Sequence, residues 1–176
     1  MKKDHDLAQA YQAIDRLHEA GLIYDAHIMT GVAGKGRGME NAEALAQFLN
    51  RTNPAHVVNF SMFLHKEVPL YQDIRQATFV PADELETIRE EYHLIERIAP
   101  EKAGANILYD GFHDFIHVRV RGHLPGDKEK MLAKLNGIIQ EYEGKEPVYS
   151  FVQGECPDLE YCDDGKAVWD MDRKTS

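Results

Sequence analysis

Cysteine is scarce in this chain. The 176 residues include only two, Cys156 and Cys162, both near the carboxyl terminus. Two cysteines are too few for a disulfide framework. Their spacing is not one that zinc sites use, and no Cys-x-x-Cys pair or cluster of three cysteines is present. We therefore expect two free thiols in a reducing compartment.

Long apolar runs are also missing. No stretch approaches the length that a bilayer-spanning helix needs. The first residues, Met-Lys-Lys-Asp-His-Asp, lack the apolar segment of a signal peptide. The sequence therefore predicts a cytoplasmic protein without a membrane partner.

Basic residues are fewer than acidic ones. The chain has 20 lysines and arginines and 30 aspartates and glutamates, which gives a net charge of −10. A surface of this sign repels phosphate backbones, so nucleic acid is an unlikely partner. The composition is 43% apolar and 28% charged, which is typical of a globular domain with an ordinary core. The length corresponds to one domain.

Helical and strand-like segments alternate along the chain. An amphipathic helix, Asp6 to Ala20, ends at Gly21 and leads into an apolar strand, Leu22 to Met29. Further segments follow in the same alternation: a helix over 41–50, a strand over 55–64, short helical residues to 76, a long helix after Pro81, a strand over 105–109 and a last helix after Pro125. This order predicts an α/β fold with parallel strands joined by helical crossovers.

The repeat begins with a helix, so the sequence resembles the back half of a larger barrel that is entered between strands. After Gly144 the composition changes to prolines, glycines, acids and both cysteines. We interpret residues 1–143 as the partial barrel domain and residues 144–176 as an irregular carboxyl-terminal extension that folds back on it.

Candidate functional residues follow the strands, because active sites of parallel β/α folds form where strands end. The first strand is followed by a loop rich in glycine, Thr30 to Gly38, whose backbone can approach a ligand closely. The loop lacks the lysine and hydroxyl residue of a phosphate-binding P-loop. Taken alone, it is equally well interpreted as a surface turn.

Two histidine-containing segments follow the later strands. His65-Lys66-Glu67 could serve acid–base chemistry, although a polar loop is the simpler interpretation. The segment from His113 to His123 is either an extended basic edge or a helix start that places His113 and His117 one turn apart, a spacing able to hold a metal. We name His65, His113, His117 and Arg121 as substrate-side candidates and assign no metal ligands.

Five motifs occur together in a fixed order. They are Ile28–Gly34 (Ile-Met-Thr-Gly-Val-Ala-Gly), Asn41-Ala42 with Ala46, Leu49–Pro54 (Leu-Asn-x-Thr-x-Pro), Met62-Phe63-Leu64 with Pro69-Leu70-Tyr71, and Arg121–Lys128 (Arg-Gly-x-Leu-Pro-x-Asp-Lys). In this order they resemble the carboxyl-terminal half of radical S-adenosylmethionine proteins, the group of iron–sulfur oxidoreductases with coproporphyrinogen-oxidase-like or Elongator-like cores. The resemblance covers residues 1 to 142.

The resemblance implies a (β/α)6 partial TIM barrel, of which this chain would supply strands five and six. In that family three cysteines in Cys-x3-Cys-x2-Cys hold a [4Fe–4S] cluster, and the cluster reduces S-adenosylmethionine to a 5′-deoxyadenosyl radical. By resemblance, the cofactor-binding residues would be Gly31, Val32, Ala33 and Gly34 beside the adenosine, with Asn59, Ser61 and Phe63 lining the barrel or the adenine pocket.

The cluster cysteines are absent, so the resemblance implies a chain that is inactive alone and binds no cofactor by itself. Its partner would be the missing amino-terminal half or a second copy, at the exposed edge of strand five. Two alternatives remain open: a metal-dependent hydrolase that uses His113 and His117, with His65 as a further ligand, and a non-catalytic module that binds S-adenosylmethionine.

Overall fold

Three parallel strands lie side by side in the order in which they occur in the chain. The computed structural model describes residues 5–151, 162–163 and 166–167. One sheet contains β1 (Asp25–Thr30), β2 (His56–Ser61), β3 (Ile107–His113) and β4 (Val118–Leu124), in that spatial order. β2 is parallel to both β1 and β3, whereas β4 is antiparallel to β3. The predicted α/β class is therefore confirmed.

Five α-helices connect and flank these strands. They are α1 (Leu7–Glu19), α2 (Gly38–Thr52), α3 (Pro69–Arg75), α4 (Glu84–Arg97) and α5 (Lys128–Tyr142), with one 3-10 turn at Asp114–Ile116. α2 joins β1 to β2, and α3 and α4 join β2 to β3, so both parallel pairs use helical crossovers. The predicted order of elements is confirmed, with β4 in addition, and the bounds of β1, β2 and β3 differ from the predicted ones by one to four residues.

Local signals account for the helix ends. The Asp6 carboxylate accepts a hydrogen bond from the Gln9 amide, and the Gln9 side chain accepts one from the Asp6 amide, which is a complete capping box. Gly21 has a φ of 72° directly after α1, the left-handed conformation that glycine adopts without steric cost. Asp83 caps α4 in the same way as Asp6, through the Glu86 amide.

The segment from His113 to His123 differs from both interpretations of the sequence. It is neither one strand nor a helix start: β3 ends at His113, a 3-10 turn follows, and β4 returns antiparallel. His117 has a φ of 54°, so the chain reverses there. The connection between β3 and β4 is too short for the helical crossover that parallel strands need, so the two strands can only form an antiparallel hairpin. Arg119, Arg121 and His123 share one face of β4, whereas His113 lies on the other face of the sheet.

The two faces of the sheet have different surroundings. Ala26, Val57, Tyr109 and Val120 point toward α2, α4 and α5 and are buried. The opposite side carries three cross-strand rows and is called the open face here, because no described helix covers its charged residues. Its rows are Asp25–His56–Leu108–His123, His27–Val58–Asp110–Arg121 and Met29–Phe60–Phe112–Arg119.

A second, smaller apolar cluster lies beyond the carboxyl end of β2. Leu64 pairs with Phe151 in an isolated parallel bridge, and both pack with Tyr71 and Ile74 of α3. The Leu64 amide donates to the Ser150 carbonyl at 2.7 Å. The start of the predicted extension therefore folds back on the body, as expected.

Most of that extension lies outside the described residues. Within it the structure gives a two-residue antiparallel pair, β5 (Cys162–Asp163) with β6 (Lys166–Ala167). Cys156 lies outside the described residues. Among the helices that the structure describes, none is both long enough and apolar enough to cross a bilayer.

Candidate functional site

The glycine loop lies at the carboxyl end of β1 and is held by its own hydrogen bonds. Within the loop, the Gly34 amide donates to the Gly31 carbonyl, at 3.1 Å. Three contacts go to the residues around α4: Gly31 to the Glu90 carboxylate (3.0 Å), Lys35 to the Val80 carbonyl (2.8 Å) and Gly36 to Glu86 (3.4 Å). Most loop amides therefore bind the protein itself.

Close packing explains two of the glycines. Gly31 and Gly34 have φ values of 85° and 82°. A Cβ on Gly31 would lie 2.9 Å from the Thr87 methyl group, and one on Gly34 would lie 2.8 Å from the Val80 carbonyl oxygen. No described residue accepts a hydrogen bond from the amides of Val32 or Ala33. These two adjacent N–H groups are available to a ligand.

Asn59 and Ser61 lie on the helix-covered face of β2, not on the open face. Both are buried, and each donates to a glutamate of α4: Asn59 Nδ2 to Glu91 at 3.0 Å, and Ser61 Oγ to Glu84 at 2.7 Å. Phe63 lies past the end of β2 with half of its surface exposed. Asn59 and Ser61 therefore share one face of β2, whereas Phe63 lies apart from them beyond the end of the strand.

A buried charged cluster occupies the space between α4 and the carboxyl ends of β2 and β3. His113 is fully buried, with Nδ1 2.9 Å from Glu84 and Nε2 3.0 Å from Glu91. When Glu84 and Glu91 are both ionised they can only accept hydrogen bonds, so both ring nitrogens then donate and the ring is an imidazolium. We call Glu84, His113 and Glu91 the buried triad.

The remaining oxygens of the two carboxylates are also satisfied. Glu91 Oε1 accepts from Tyr109 at 2.9 Å and from Asn59, while Glu84 Oε1 accepts from Ser61 and Ser150. A buried charge is tolerated when it is paired and fully hydrogen-bonded. The buried triad therefore fastens α4 to β2, β3 and the Ser150 segment.

Burial and pairing act in opposite directions on the pKa values of the buried triad. Burial lowers the pKa of His113, but the hydrogen bonds and negative charges of Glu84 and Glu91 outweigh it and raise the pKa to about 10. For Glu84, burial raises the pKa, whereas His113, Ser150 and Ser61 lower it, and the result is a lowered pKa. The ion pair is thus favoured at neutral pH.

Glu90 is a third buried glutamate, and it contacts no cation. Burial raises its pKa above the usual range, and the hydrogen bonds from Asn41 and Gly31 oppose that effect. Asn41 Nδ2 lies 2.5 Å from one carboxylate oxygen and Gly31 N lies 3.0 Å from the other. Glu90 therefore fixes the start of the glycine loop to the start of α2.

The burial of these glutamates was hard to predict from the sequence. Apolar spacing alone predicts an inner face of Leu85, Ile88, Tyr92, Ile95 and Ile98 for this helix. The residues that α4 buries are instead Glu84, Thr87, Ile88, Glu90, Glu91, Leu94 and Ile95. Glu84, Thr87 and Glu91 follow one another at helical spacing. A polar stripe at that spacing is usually exposed, so it was not distinguishable from a solvated face.

The open face carries a second charged group, formed by Asp110, Arg119 and Arg121. Arg119 binds Asp110 with two nitrogens, at 2.7 and 2.5 Å, and Arg121 lies 3.8 Å from the same carboxylate. The hydrogen bond from Arg119 lowers the pKa of Asp110 despite partial burial. Unlike the buried triad, both arginines are more than half exposed.

A shallow cavity of about 300 Å³ opens at the carboxyl edge of the open face. Its lining is mainly aromatic and consists of Phe60, Ser61, Phe63, Phe112, Asp114 and Phe115. The rings of Phe60 and Phe112 stack with centroids 5.5 Å apart, and the Arg119 guanidinium covers Phe112 at 4.7 Å. Phe63 is thus the one predicted cofactor residue that faces this cavity from an exposed position.

The histidines proposed for a metal do not come together. His113 has both nitrogens engaged, His117 is exposed beyond the turn, and His65 accepts a hydrogen bond from the Glu67 amide. Arg121 lies on the open face, away from the buried His113. Within residues 5–151 and the two short strands, no group of three or more metal-ligating side chains could hold an ion. The structure therefore does not bring His113 and His117 together as a pair of metal ligands.

No family model, no curated protein and no solved structure matches this chain.

Proposed function

We propose that this chain is the carboxyl-terminal part of a radical S-adenosylmethionine protein and is inactive alone. The observation that carries the proposal is the arrangement of β1, β2 and β3, which are parallel and lie in chain order with their crossover helices on one face. Such a unit is what one segment of a partial (β/α)6 barrel requires. In that arrangement the open face would be the barrel interior.

The glycine loop supports a place for adenosine at the carboxyl edge. The amides of Val32 and Ala33 are free of described partners and can donate to polar ligand atoms. The Met62 amide donates to the Thr30 carbonyl at 2.9 Å, so the end of β2 lies directly beside the loop. Val32, Ala33 and the residues after Ser61 therefore could share one small ligand.

The chain does not fit the iron–sulfur cluster. A cluster of this kind needs three thiolates, but residues 5–151 contain no cysteine, and the sequence holds only two. The thiolates would have to come from polypeptide outside this sequence. We therefore derive no catalytic step for this chain, and the radical chemistry that the resemblance implies would belong to the completed protein.

The coding sequence beside this chain offers the most direct test. The proposal expects a reading frame, continuous with this one or adjacent to it, that encodes Cys-x3-Cys-x2-Cys. Co-expression of that segment with this chain should yield a brown complex that contains iron and releases 5′-deoxyadenosine from S-adenosylmethionine after reduction. A complete genome without such a frame nearby would contradict the proposal.

A second test concerns the chain by itself. Titration with S-adenosylmethionine, followed by NMR, should shift the amides of residues 31–34 and 61–64, with a dissociation constant on the order of 1 mM because half of a pocket binds weakly. Ala33→Pro removes one free amide and should abolish the shifts, whereas Ala33→Ser keeps that amide. Tight binding by the chain alone, with a dissociation constant on the order of 10 μM or lower, would instead favour the non-catalytic module.

A further inference from the structure

The two edges of the sheet differ in how they are protected. At the β4 edge, Lys134 donates to the Arg119 carbonyl at 2.6 Å, and the His123 amide donates to Asp127 at 2.8 Å. Charged side chains also alternate along β4, at Arg119, Arg121 and His123. Charges and bonded backbone groups of this kind discourage pairing with another strand.

Fewer contacts from the described residues protect the β1 edge. The Ala55 amide donates to the Tyr24 carbonyl and the Met62 amide to the Thr30 carbonyl, so the even-numbered residues of β1 bond to β2. Because backbone groups alternate along a parallel strand, Asp25, His27 and Met29 direct theirs outward. One weak contact reaches them from the described residues, Asn41 Nδ2 to the Met29 carbonyl at 3.4 Å.

Two exposed apolar side chains directly precede β1. Ile23 is 82% exposed and Leu22 is 54% exposed. β1 contains neither proline nor lysine. An unprotected strand next to exposed apolar residues is typical of an interaction surface.

The position of α1 indicates what kind of segment could bind at this surface. α2 and α4 lie over the sheet and pack against its strands, whereas Ile14 is the single buried residue of α1. α1 packs mainly against α2. The Tyr11 ring stacks on the Phe48 ring, and the Arg51 guanidinium lies 3.8 Å from the centroid of the Tyr11 ring. A helix that leads into a parallel strand normally covers the strand before it as well. Beside β1, that position is empty of described residues.

We propose that the β1 edge and the underside of α1 form a docking surface for one further β-strand, parallel to β1. Its occupant is a mainly apolar strand that pairs with Asp25, His27 and Met29 and packs beneath α1. The evidence for the docking surface is the difference between the two edges. Only the origin of the strand rests on the proposed function, under which the strand belongs to the polypeptide that supplies the cluster ligands.

The proposal can be tested by attaching such a strand covalently to the chain. A copy of residues 24–31 is added before Met1 through a flexible linker of about eight residues, which gives a millimolar effective concentration. Hydrogen exchange is then measured by NMR for each β1 amide. The proposal expects the His27 and Met29 amides, fast in the untethered chain, to slow by about tenfold or more.

Two substitutions separate backbone pairing from side-chain effects. His27→Pro removes an outward amide, a change that edge strands tolerate, so the protection and any rise in Tm should be lost while the fold remains. His27→Ala keeps the amide and should keep the protection. A tethered strand of scrambled sequence should protect less.

Two results would overturn the docking proposal. Unchanged exchange in the tethered, folded chain would overturn it. So would protection that is already present in the untethered chain, rises with concentration and disappears in His27→Pro, because sedimentation would then identify a second copy as the occupant. Docking by a tethered strand without a cysteine-bearing reading frame nearby would instead reject only the proposed function.

Discussion

The helix-covered face and the open face of the sheet each hold one small group of charges. On the covered face, His113 lies between Glu84 and Glu91 with all three side chains buried. On the open face, Asp110 lies between Arg119 and Arg121, whose side chains remain exposed. The N···O distances in the two groups are similar, but their exposure to solvent differs. Exposure to water determines how much each group contributes to the stability of the fold.

The difference concerns what happens when one partner is lost. In the buried triad, removal of the imidazolium leaves two carboxylates without a cation and without access to water. On the open face, water and Arg121 can replace much of what Arg119 provides. The buried triad is therefore expected to control stability, whereas the open face can be altered at little cost.

The largest effect should come from His113→Leu. Leucine is similar in bulk but leaves Glu84 and Glu91 unpaired, so the free energy of unfolding should fall by about 3–5 kcal/mol. Urea denaturation measures it. His123→Ala, an exposed histidine on the same sheet, is the matched control and should change stability by about 0.5 kcal/mol or less. Equal effects of the two substitutions would remove the distinction between the faces.

The stability of the buried triad should depend on pH in a defined direction. The folded pKa of His113, about 10, lies above its ordinary value of 6.5. The stabilisation is therefore complete below about pH 6.5 and is lost as the pH rises toward 10. The difference in unfolding free energy between the wild type and His113→Leu should shrink from pH 6.5 to pH 9.5. A constant difference would show that His113 is not charged in the folded state.

Gly111 offers a steric test of the same face. A Cβ at this position would overlap the Glu91 carboxylate, so Gly111→Ala should lower the free energy of unfolding by about 1–3 kcal/mol through displacement of that group. Gly137 in α5 has nothing near its hypothetical Cβ. Gly137→Ala should raise stability by about 1 kcal/mol, and thermal denaturation of both variants decides whether crowding at Glu91 is real.

The smallest effect should come from the open face. Arg119→Ala removes the two-nitrogen contact with Asp110, but Arg121 and water remain, so the loss should be about 1 kcal/mol or less. Chemical denaturation in low and high salt measures it, and salt should reduce the difference. If Arg119→Ala lowered the free energy of unfolding as much as His113→Leu does, the open face would have to be shielded from water when the protein is in solution.

Periodicity and capping residues were enough to predict the element order. Asp6 with Gln9 predicts the start of α1, Gly21 predicts its end, and apolar runs predict β1 and β2. These signals act over a few residues, so they can be seen in one sequence. The strand bounds and the inner face of α4 were less predictable, because burial depends on neighbours distant in the chain.

The candidate site was less accessible to sequence reasoning. The glycine loop and His113 were singled out correctly as positions at strand ends, but the partners of His113 were not. Glu84 and Glu91 lie 29 and 22 residues away from it in the chain, and no local pattern marks a glutamate that will be buried. The free amides of Val32 and Ala33 likewise became visible only once the bonds of the other loop residues were known.

The sequence by itself determined that helices and strands alternate, where most of them begin, and that two cysteines cannot supply a three-thiolate cluster. Only the tertiary structure decided that His113 faces α4 as a paired imidazolium, that β4 returns antiparallel after His117, and that one sheet edge is protected while the other is open. The physical reason is range: propensity and capping act between near neighbours, whereas ion pairing, burial and edge pairing depend on residues that only folding brings together.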